Sequence, residues 1–277
     1  MSKRAAVPYE RELAVAREAA RRAGEVLLRH YRDGTESWEK SEGNPLTLAD
    51  LESDRVIAEH LRGTYPDDAL LSEETVSTPA RLDKRRVWIV DPMDGTKEFT
   101  RKIPEFCASI ALCEDGEPVV GVVMNPVAGV TVWATRGGGC FRDGQPVKVS
   151  ATTQLGDALV IASRTEISRG RFEPYDGWFR ELRPVGSIAW KLACVACADG
   201  DLNISVVPKN EWDVCAGDLL VREAGGRYVD FDGNPRRYNQ AKTLIESGMA
   251  AGPYGLLEEF FQREHARAAE SGGDPLQ

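Results

Sequence analysis

Histidine is scarce in this chain of 277 residues, which contains only His30, His60 and His265. The chain therefore has few candidates for a histidine base in catalysis or for histidine ligands of a metal. The six cysteines are scattered, and their single C-x-x-C pair, Cys194 and Cys197, lies in a stretch that predicts a buried helix. Because no second pair and no nearby histidine completes it, a zinc site is not expected. We interpret the cysteines as small, buried, apolar side chains.

The sequence also lacks long apolar runs and any excess of positive charge. No segment is apolar for long enough to predict membrane insertion, and the N-terminal segment lacks the apolar middle of a signal peptide. We therefore expect a cytoplasmic protein. The formal net charge of −9 argues against a long nucleic-acid partner, which normally needs a basic stripe. It does not argue against a small phosphate ester, because a divalent cation can reverse the local charge.

The apolar pattern predicts an α/β (α+β) fold in two halves. Residues 1–150 begin with two amphipathic helices, at about Tyr9–Tyr31 and Thr47–Arg62, with a polar loop between them. Two short strands and a run of strands and glycine-containing turns follow, which is typical of a mainly antiparallel sheet. In residues 151–277 strands alternate with helices, so we expect a smaller α/β half that completes the substrate site.

Carboxylates stand at the ends of several of these apolar segments. Asp91 and Asp94 follow the strand pattern in VWIVDPMDGTKEF, where two neighbouring anions repel each other. Further carboxylates fall at the edges of predicted strands and helices: Asp50, Glu73, Glu74 and Asp213. An isolated D-x-x-D is usually an ordinary turn. A convergent group of carboxylates either shares a proton or binds hard cations, and without histidine it favours Mg²⁺ over zinc.

The residues around these two aspartates indicate what such cations would do. Pro92 lacks a backbone donor and fixes the chain, which leaves the carbonyl of Met93 free to face outward between the carboxylates. Gly95 permits a close approach of the backbone, and Thr96 begins a predicted helix whose free N–H groups can hold an anion. Metal ligands beside a phosphate-binding segment are what metal-assisted phosphoryl transfer requires.

Two motifs identify the family that this sequence resembles. DPMDGT, from Asp91 to Thr96, matches the signature D-P-[hydrophobic]-D-G-T, and WDVCAGDLLVREAGG matches W-D-x-x-A-[GA]…E-A-G-G. With Glu73, they resemble the inositol monophosphatase superfamily of Mg²⁺-dependent, lithium-sensitive phosphatases, from the first helix to about Phe261. The resemblance implies a layered α-β-α-β-α sandwich, an active site between the halves and a small phosphorylated metabolite as substrate. Some members form dimers, and the sequence leaves a homodimer open.

The resemblance also implies a role for each motif residue. Two or three Mg²⁺ ions would be held by Glu73, Asp91, the backbone carbonyl of Met93, Asp94 and Asp213. Asp91 would bridge two ions, which would relieve the repulsion between the neighbouring aspartates. Thr96 and Asp50, with Glu73 nearby, would orient a metal-bound water for in-line attack on phosphorus. The backbone N–H groups of Gly95 and Thr96 would bind the phosphate, and Asp213 would also contact the substrate.

Several segments resemble the 3'(2'),5'-bisphosphate nucleotidases of this superfamily. KSEGNPLTLAD resembles their pattern K-x-D-x-S-P-x-T-x-A-D, with Glu42 in place of Asp and Asn44 in place of Ser. DGTKEF, ASRTE and the Glu-Trp before Asp213 also match this group. Inositol phosphatases carry a ring-binding glutamate where Leu202–Val207 contains no acid. The favoured hypothesis is therefore hydrolysis of 3'-phosphoadenosine 5'-phosphate to AMP and phosphate.

The segment GSIAWKLACVA favours a different branch, because it is one residue longer than the nucleotidase pattern and has the length of the inositol type. The alternative is an inositol-1-phosphate phosphatase or a broad sugar- or histidinol-phosphate phosphatase. An alternative of another class is a regulatory binding protein with a phosphatase fold. The candidates for further substrate contacts, including a second phosphate, are Lys97, Arg164, Ser187 and Lys191. For the two lysines, a solvated helix position is the competing interpretation.

Overall fold

The computed structural model describes residues 8–41, 44–75 and 78–271. Its helices are α1 (Glu10–Asp33), α2 (Leu48–Thr64), α3 (Thr96–Thr100), α4 (Arg164–Ser168), α5 (Ile188–Ala196), α6 (Glu211–Glu223) and α7 (Tyr254–Ser271). The two predicted N-terminal helices are confirmed. Thr47 begins α2 as expected, because its hydroxyl accepts from the N–H of Ala49 at 3.1 Å and Asp50 closes a capping box. Within the described residues, no helix is long and apolar enough to span a membrane.

The first half contains a hairpin and a seven-stranded sheet. The hairpin pairs β1 (Ser37–Ser41) with β2 (Asn44–Thr47). The sheet runs in chain order through β3 (Ala69–Ser72), β4 (Arg86–Asp94), β5 (Cys107–Glu114), β6 (Glu117–Asn125), β7 (Val130–Thr135), β8 (Gly139–Arg142) and β9 (Gln145–Val147). Only the pairing of β3 with β4 is parallel among these neighbours, which confirms the expected mainly antiparallel sheet.

The second half contains a mixed five-stranded sheet. Its remaining strands are β10 (Leu159–Ser163), β11 (Glu181–Val185), β12 (Leu202–Ser205), β13 (Lys209–Asn210), β14 (Arg227–Asp230), β15 (Leu244–Ile245) and β16 (Met249–Gly252). The order in the sheet is β11-β10-β12-β16-β14, while β13 pairs with β15 separately. The proposed division at residue 150 falls between the two sheets. Even so, α6 from the second half packs on β5 and β6 of the first.

Three apolar cores separate the layers of the molecule. One core lies between α1, α2 and the face of the seven-stranded sheet that carries Trp88 and Val90. The opposite face, with Val87 and Ile89, packs on α5 and α6 in a core that continues to the five-stranded sheet. The third core joins the far face of that sheet to α7 around Phe260. The order is therefore α-β-α-β-α, which confirms the expected layered sandwich.

The structure differs from the expectations in regions where the apolar pattern is weak. The polar segment before α2, expected to be a loop, contains the hairpin β1–β2, in which Trp38 lies opposite Leu46. Glu42, one departure from the nucleotidase pattern, lies outside the described residues. Strand β11 was not predicted because it lies at a sheet edge and four of its five residues are not buried. Strand β16 is too short for a periodic signal.

Candidate active site

A cleft of about 410 Å³ opens where the ends of several elements meet. Its walls come from the end of β4, from α3 and α4, and from the first turns of α5 and α6, with Glu73 entering from the end of β3. A larger groove of about 500 Å³ lies between α1 and α2, but it carries none of the predicted site residues. The cleft is therefore the candidate active site.

A bulge in β4 brings Asp91 and Asp94 to the cleft. Asp91 pairs with Ser109 of β5 and Asp94 pairs with Cys107, so β4 has one residue more than β5 between these pairs and its register shifts. The N–H of Met93 donates to Oδ1 of Asp91 at 3.0 Å. Asp91 is thus part of the strand, as the sequence predicts, and Asp94, which the sequence placed in the turn after it, is part of the strand as well. The bulge allows both side chains to reach the same crevice.

Asp94 is held by the start of α5. Its Oδ2 accepts from the hydroxyl of Ser187 at 2.5 Å and from the N–H of Ala189 at 2.6 Å. Ser187 has φ of 54°, a conformation that few residues other than glycine adopt, and its hydroxyl also caps the helix by accepting from the N–H of Trp190 at 3.0 Å. Ser187, predicted to contact substrate, is thus a direct support of Asp94.

Asp213 enters the cleft from the first turn of α6. Its Oδ2 accepts from the N–H of Asn210 at 2.7 Å, which is one arm of a capping box at the start of this helix. The N-terminus of a helix favours a carboxylate because the helix dipole is positive there. The central layer of the fold therefore supplies both Asp213 and the support of Asp94.

Thr96 lines the cleft and is hydrogen-bonded to the buried Asp50 of α2. The hydroxyl of Thr96 donates to Oδ1 of Asp50 at 3.0 Å, while Oδ2 of Asp50 accepts from the N–H and hydroxyl of Thr47, each at 2.7 Å. Burial raises the pKa of Asp50 to about 6, although the hydrogen bonds from Thr47 act in the opposite direction. The predicted pairing of these two residues is present in the structure.

The carboxylates of the cleft repel one another. Burial, and then the charges of Glu73, Asp94 and Asp213, raise the pKa of Asp91 well above its usual range. Burial and the charge of Asp94 raise the pKa of Asp213 to about 8, and burial also raises the pKa of Asp94. Such shifts mean that the charged forms are costly in the protein alone. A cation among these oxygens would remove that cost.

The donor set fits a hard cation, although the carboxylates are not gathered around one point. Among the described residues, no three acidic, histidine or cysteine side chains stand as ready ligands of one metal ion. Each of Asp91, Asp94 and Asp213 turns one oxygen to a protein donor. Within the described contacts the second oxygen of each is left for a ligand. An all-oxygen set of this kind suits Mg²⁺.

The remaining predicted substrate residues fall into three groups. Gly95 and Lys97 line the cleft, and Gly95 has φ of 101°. Lys191 also lines it but is buried, with Nζ donating to the carbonyl of Ser187 at 3.0 Å and its pKa lowered by burial to about 8. Arg164 is outside the cleft lining, because it donates to Glu105 at 2.5 Å. The geometry therefore does not support a substrate contact by Arg164.

Several cleft residues were missed by the sequence analysis. They are Glu98, Glu166, Arg169, Arg171 and Lys209. Lys209 is half-buried and donates to Oε1 of Glu166 at 3.3 Å, whereas Arg169 and Arg171 are exposed at the mouth. Charged residues in short elements and turns look like ordinary surface positions in a sequence. The available signal was their place in or beside the motifs: Glu98 lies in DGTKEF, Glu166 ends ASRTE, Arg169 and Arg171 follow it, and Lys209 precedes the Trp-Asp motif.

Comparison with known protein sequences agrees with these motifs. The model of the inositol monophosphatase family matches residues 9–268. Inositol monophosphatase 2 from Solanum lycopersicum is 35% identical over 231 residues, which cover 79% of this chain and 87% of that protein. Nus factor SuhB from Xylella fastidiosa is 35% identical over 225 residues, 78% of this chain and 80% of that protein. A fructose-1,6-bisphosphatase/inositol-1-monophosphatase from Thermotoga maritima is 31% identical over 232 residues, 83% of this chain and 88% of that protein.

Comparison with solved structures gives the same result for the fold. The extragenic suppressor protein SuhB from Bartonella henselae matches with a TM-score of 0.82 and 28% identity, covering 91% of this chain and 98% of that one. An inositol monophosphatase from Anabaena matches with a TM-score of 0.77 and 28% identity, covering 96% of this chain and 98% of that one. With motifs, family model and fold in agreement, the chain belongs to the inositol monophosphatase family, whose members are phosphatases.

Proposed function

We propose that this protein is a Mg²⁺-dependent phosphomonoesterase that hydrolyses a small phosphate ester with water as the nucleophile. The observation that carries this proposal is the convergence of Glu73, Asp91, Asp94 and Asp213 on one cleft beside the Thr96–Asp50 pair. Two or three Mg²⁺ ions would be held by these four side chains and the carbonyl of Met93. Such ions lower the pKa of water and neutralise phosphate charge.

The side chains of the cleft then have distinct tasks. The Thr96 hydroxyl donates to Asp50, so its oxygen could accept a hydrogen bond from the attacking water. Asp50, with its raised pKa, is suited to take up the proton that passes through Thr96. The backbone N–H groups of Gly95 and Thr96 orient the phosphate. No side-chain nucleophile is required.

The best-supported substrate class is an ester with two phosphates, with 3'-phosphoadenosine 5'-phosphate as the favoured member. The support is a group of basic side chains that line the same cleft as the carboxylates: Lys97, Arg169, Arg171, Lys191 and Lys209. Arginine and lysine bind phosphate through charge-assisted hydrogen bonds. A second phosphate would meet these groups while the scissile phosphate lies at the carboxylates.

Inositol-1-phosphate is the second candidate substrate. The names of the relatives from Solanum lycopersicum and Anabaena favour it, and so does the length of the segment that contains α5. The name Nus factor SuhB, carried by another relative, supports a regulatory binding role as a third candidate. A protein that kept only the fold would not need the full carboxylate set with the Thr96–Asp50 pair. We therefore place hydrolysis ahead of binding alone.

Phosphate release in the presence of Mg²⁺ tests both the reaction and the substrate. The panel is 3'-phosphoadenosine 5'-phosphate, fructose-1,6-bisphosphate, inositol-1-phosphate and histidinol phosphate. We expect a higher kcat/KM for a bisphosphate, and the Arg171→Ala variant should raise KM for that ester about tenfold, as loss of one phosphate contact implies. Arg183→Ala, at an exposed position paired with Glu181, is the control. Much faster hydrolysis of inositol-1-phosphate would reject the bisphosphate assignment.

A further inference from the structure

Helix α2 contacts two segments that carry candidate metal ligands, and also the start of α3, which carries Thr96. Asp50 accepts from Thr96, and the hydroxyl of Ser53 donates to the carbonyl of Pro92 at 2.8 Å. One position further, Asp54 accepts from Ser72 and Thr75, the residues on either side of Glu73 and Glu74. Positions separated by three and four lie on one face of a helix. The same face of α2 therefore reaches the β4 bulge, the start of α3 and the end of β3.

Asp54 is bonded on both sides of the Glu73 segment. The Ser72 hydroxyl donates to its Oδ1, and the Thr75 hydroxyl donates to its Oδ2 at 2.7 Å. Glu73 itself lies just past the last residue of β3, with its backbone N–H bonded to the carbonyl of Val90 at 3.2 Å. These bonds fix the path of the chain at the point where Glu73 turns into the cleft.

The bonds of Asp54 to Ser72 and Thr75 can hold Glu73 in place against the repulsion of the neighbouring carboxylates. Glu73 is repelled by Asp91 and Asp213, and a ligand on an irregular segment could relieve that repulsion by moving away. Helix α2 can resist the movement because its buried face, including Ile57 and Leu61, is packed in the core. Supports of this kind hold ligands at the spacing that an ion requires.

We propose that Asp54 is a positioning residue that sets the place of Glu73 in the metal site. It acts through Ser72 and Thr75 and touches neither substrate nor ion. The inference rests on the proposed metal-dependent function, since it concerns how tightly the carboxylates bind Mg²⁺. Loss of the Asp54 bonds would weaken Mg²⁺ binding while every ligand remains present.

The test measures Mg²⁺ affinity by titration calorimetry on the full chain. Thr75→Val removes one hydroxyl at nearly constant volume and should raise the Kd for Mg²⁺ about 10- to 100-fold, as expected for loss of a ligand's support. Thr75→Ser restores the hydroxyl and should bring the Kd back to within about threefold of the wild type. Asp54→Asn keeps the shape and should weaken binding in the same direction.

A matched control separates positioning from general stability. The hydroxyl of Thr152 donates to Oδ1 of Asp201 at 2.9 Å, a similar hydroxyl–carboxylate bond outside the cleft. Thr152→Val should lower the melting temperature without Mg²⁺ but leave the Kd for Mg²⁺ unchanged. Unchanged Mg²⁺ affinity in both Thr75→Val and Asp54→Asn would overturn the role of Asp54. Absence of Mg²⁺ binding by the wild type would overturn the proposed function and this inference together.

Discussion

At the scale of single residues, the cleft is built from groups that are unfavourable where they stand. Burial raises the pKa values of Asp91 and Asp213, and the nearby charges of Glu73 and Asp94 raise them further. Ser187 has a positive φ. Local strain persists only where the surrounding structure enforces it. Here the enforcement comes from hydrogen bonds that each anchor one carboxylate oxygen. The electrostatic part of these costs is what a bound cation would relieve.

Asp94→Asn should abolish most of the phosphatase activity while the fold persists. The substitution removes one negative charge from the proposed metal site but keeps a group that can bond to Ser187 and Ala189. Loss of about 3 to 4 kcal/mol of transition-state stabilisation corresponds to a fall in kcat of roughly 10²- to 10³-fold. Phosphate release and circular dichroism are the measurements. Unchanged activity with normal folding would show that Asp94 is not a metal ligand.

Gly95→Ala should destabilise the protein by about 1 to 3 kcal/mol. The backbone at Gly95 has φ of 101°, and a Cβ there would lie 2.9 Å from the carbonyl oxygen of Glu105 and 3.0 Å from Cβ of Phe106. Urea unfolding gives the free energy of unfolding. Gly63→Ala is the control, because that helical position has open space and the substitution should be neutral or stabilising. Equal effects of the two substitutions would contradict the strain assigned to Gly95.

At the scale of elements, α6 is the piece that joins the two halves. It packs on β4, β5 and β6 of the seven-stranded sheet and on α5 beside it, and it carries Asp213 at its first turn. Its close approach to β6 depends on Gly121, where a Cβ would lie 2.8 Å from the carbonyl oxygen of Ala216. The distance between α6 and β6 therefore sets the position of Asp213 in the cleft.

Gly121→Ala should push α6 away from β6 and destabilise the protein by about 1 to 3 kcal/mol. Because Asp213 moves with the helix, Mg²⁺ affinity should fall as well. Urea unfolding and titration calorimetry measure the two effects, with Gly156→Ala, a position in open space, as the control. A stable Gly121→Ala variant with normal Mg²⁺ binding would show that the contact is not tight.

The elements also show how far the sequence predicts the site. The sequence predicted Glu73, Asp91, Asp94, Thr96 and Asp213 because short motifs keep them at strand and helix ends, and all five line the cleft. The supports of those residues were not found, since the bonds of Asp54 to Ser72 and Thr75 join segments about 20 residues apart. Pairing at that distance depends on tertiary packing, which leaves no periodic pattern in the sequence.

At the scale of the whole molecule, charge and stability are coupled. The pKa of Asp213 is raised to about 8 and that of Asp50 to about 6, so the folded chain binds more protons than the unfolded chain between about pH 4 and these values. Under the linkage relation, stability without Mg²⁺ then falls as the pH rises through this window. Divalent cations bind the deprotonated carboxylates and should oppose the fall.

Mg²⁺ should therefore raise the melting temperature more at about pH 8 than at about pH 5.5. At a concentration one hundred times the Kd, binding stabilises the fold by about 2.7 kcal/mol, which is about 5 to 10 °C for a chain of this size. Scanning calorimetry with and without Mg²⁺ at both pH values is the measurement, and Ca²⁺-free buffer with EDTA is the reference. A shift that is equal or larger at the lower pH would contradict the coupling.

The position of α5 and α6 between two sheets has a consequence for how the protein loses activity on heating. The apolar core between the seven-stranded sheet and α5–α6 must be intact for Asp94 and Asp213 to meet, since the first comes from the sheet and the second from α6. A slight loosening between layers would separate them before either sheet melts. Catalytic activity should therefore be lost on heating at a lower temperature than the temperature at which the helices unfold.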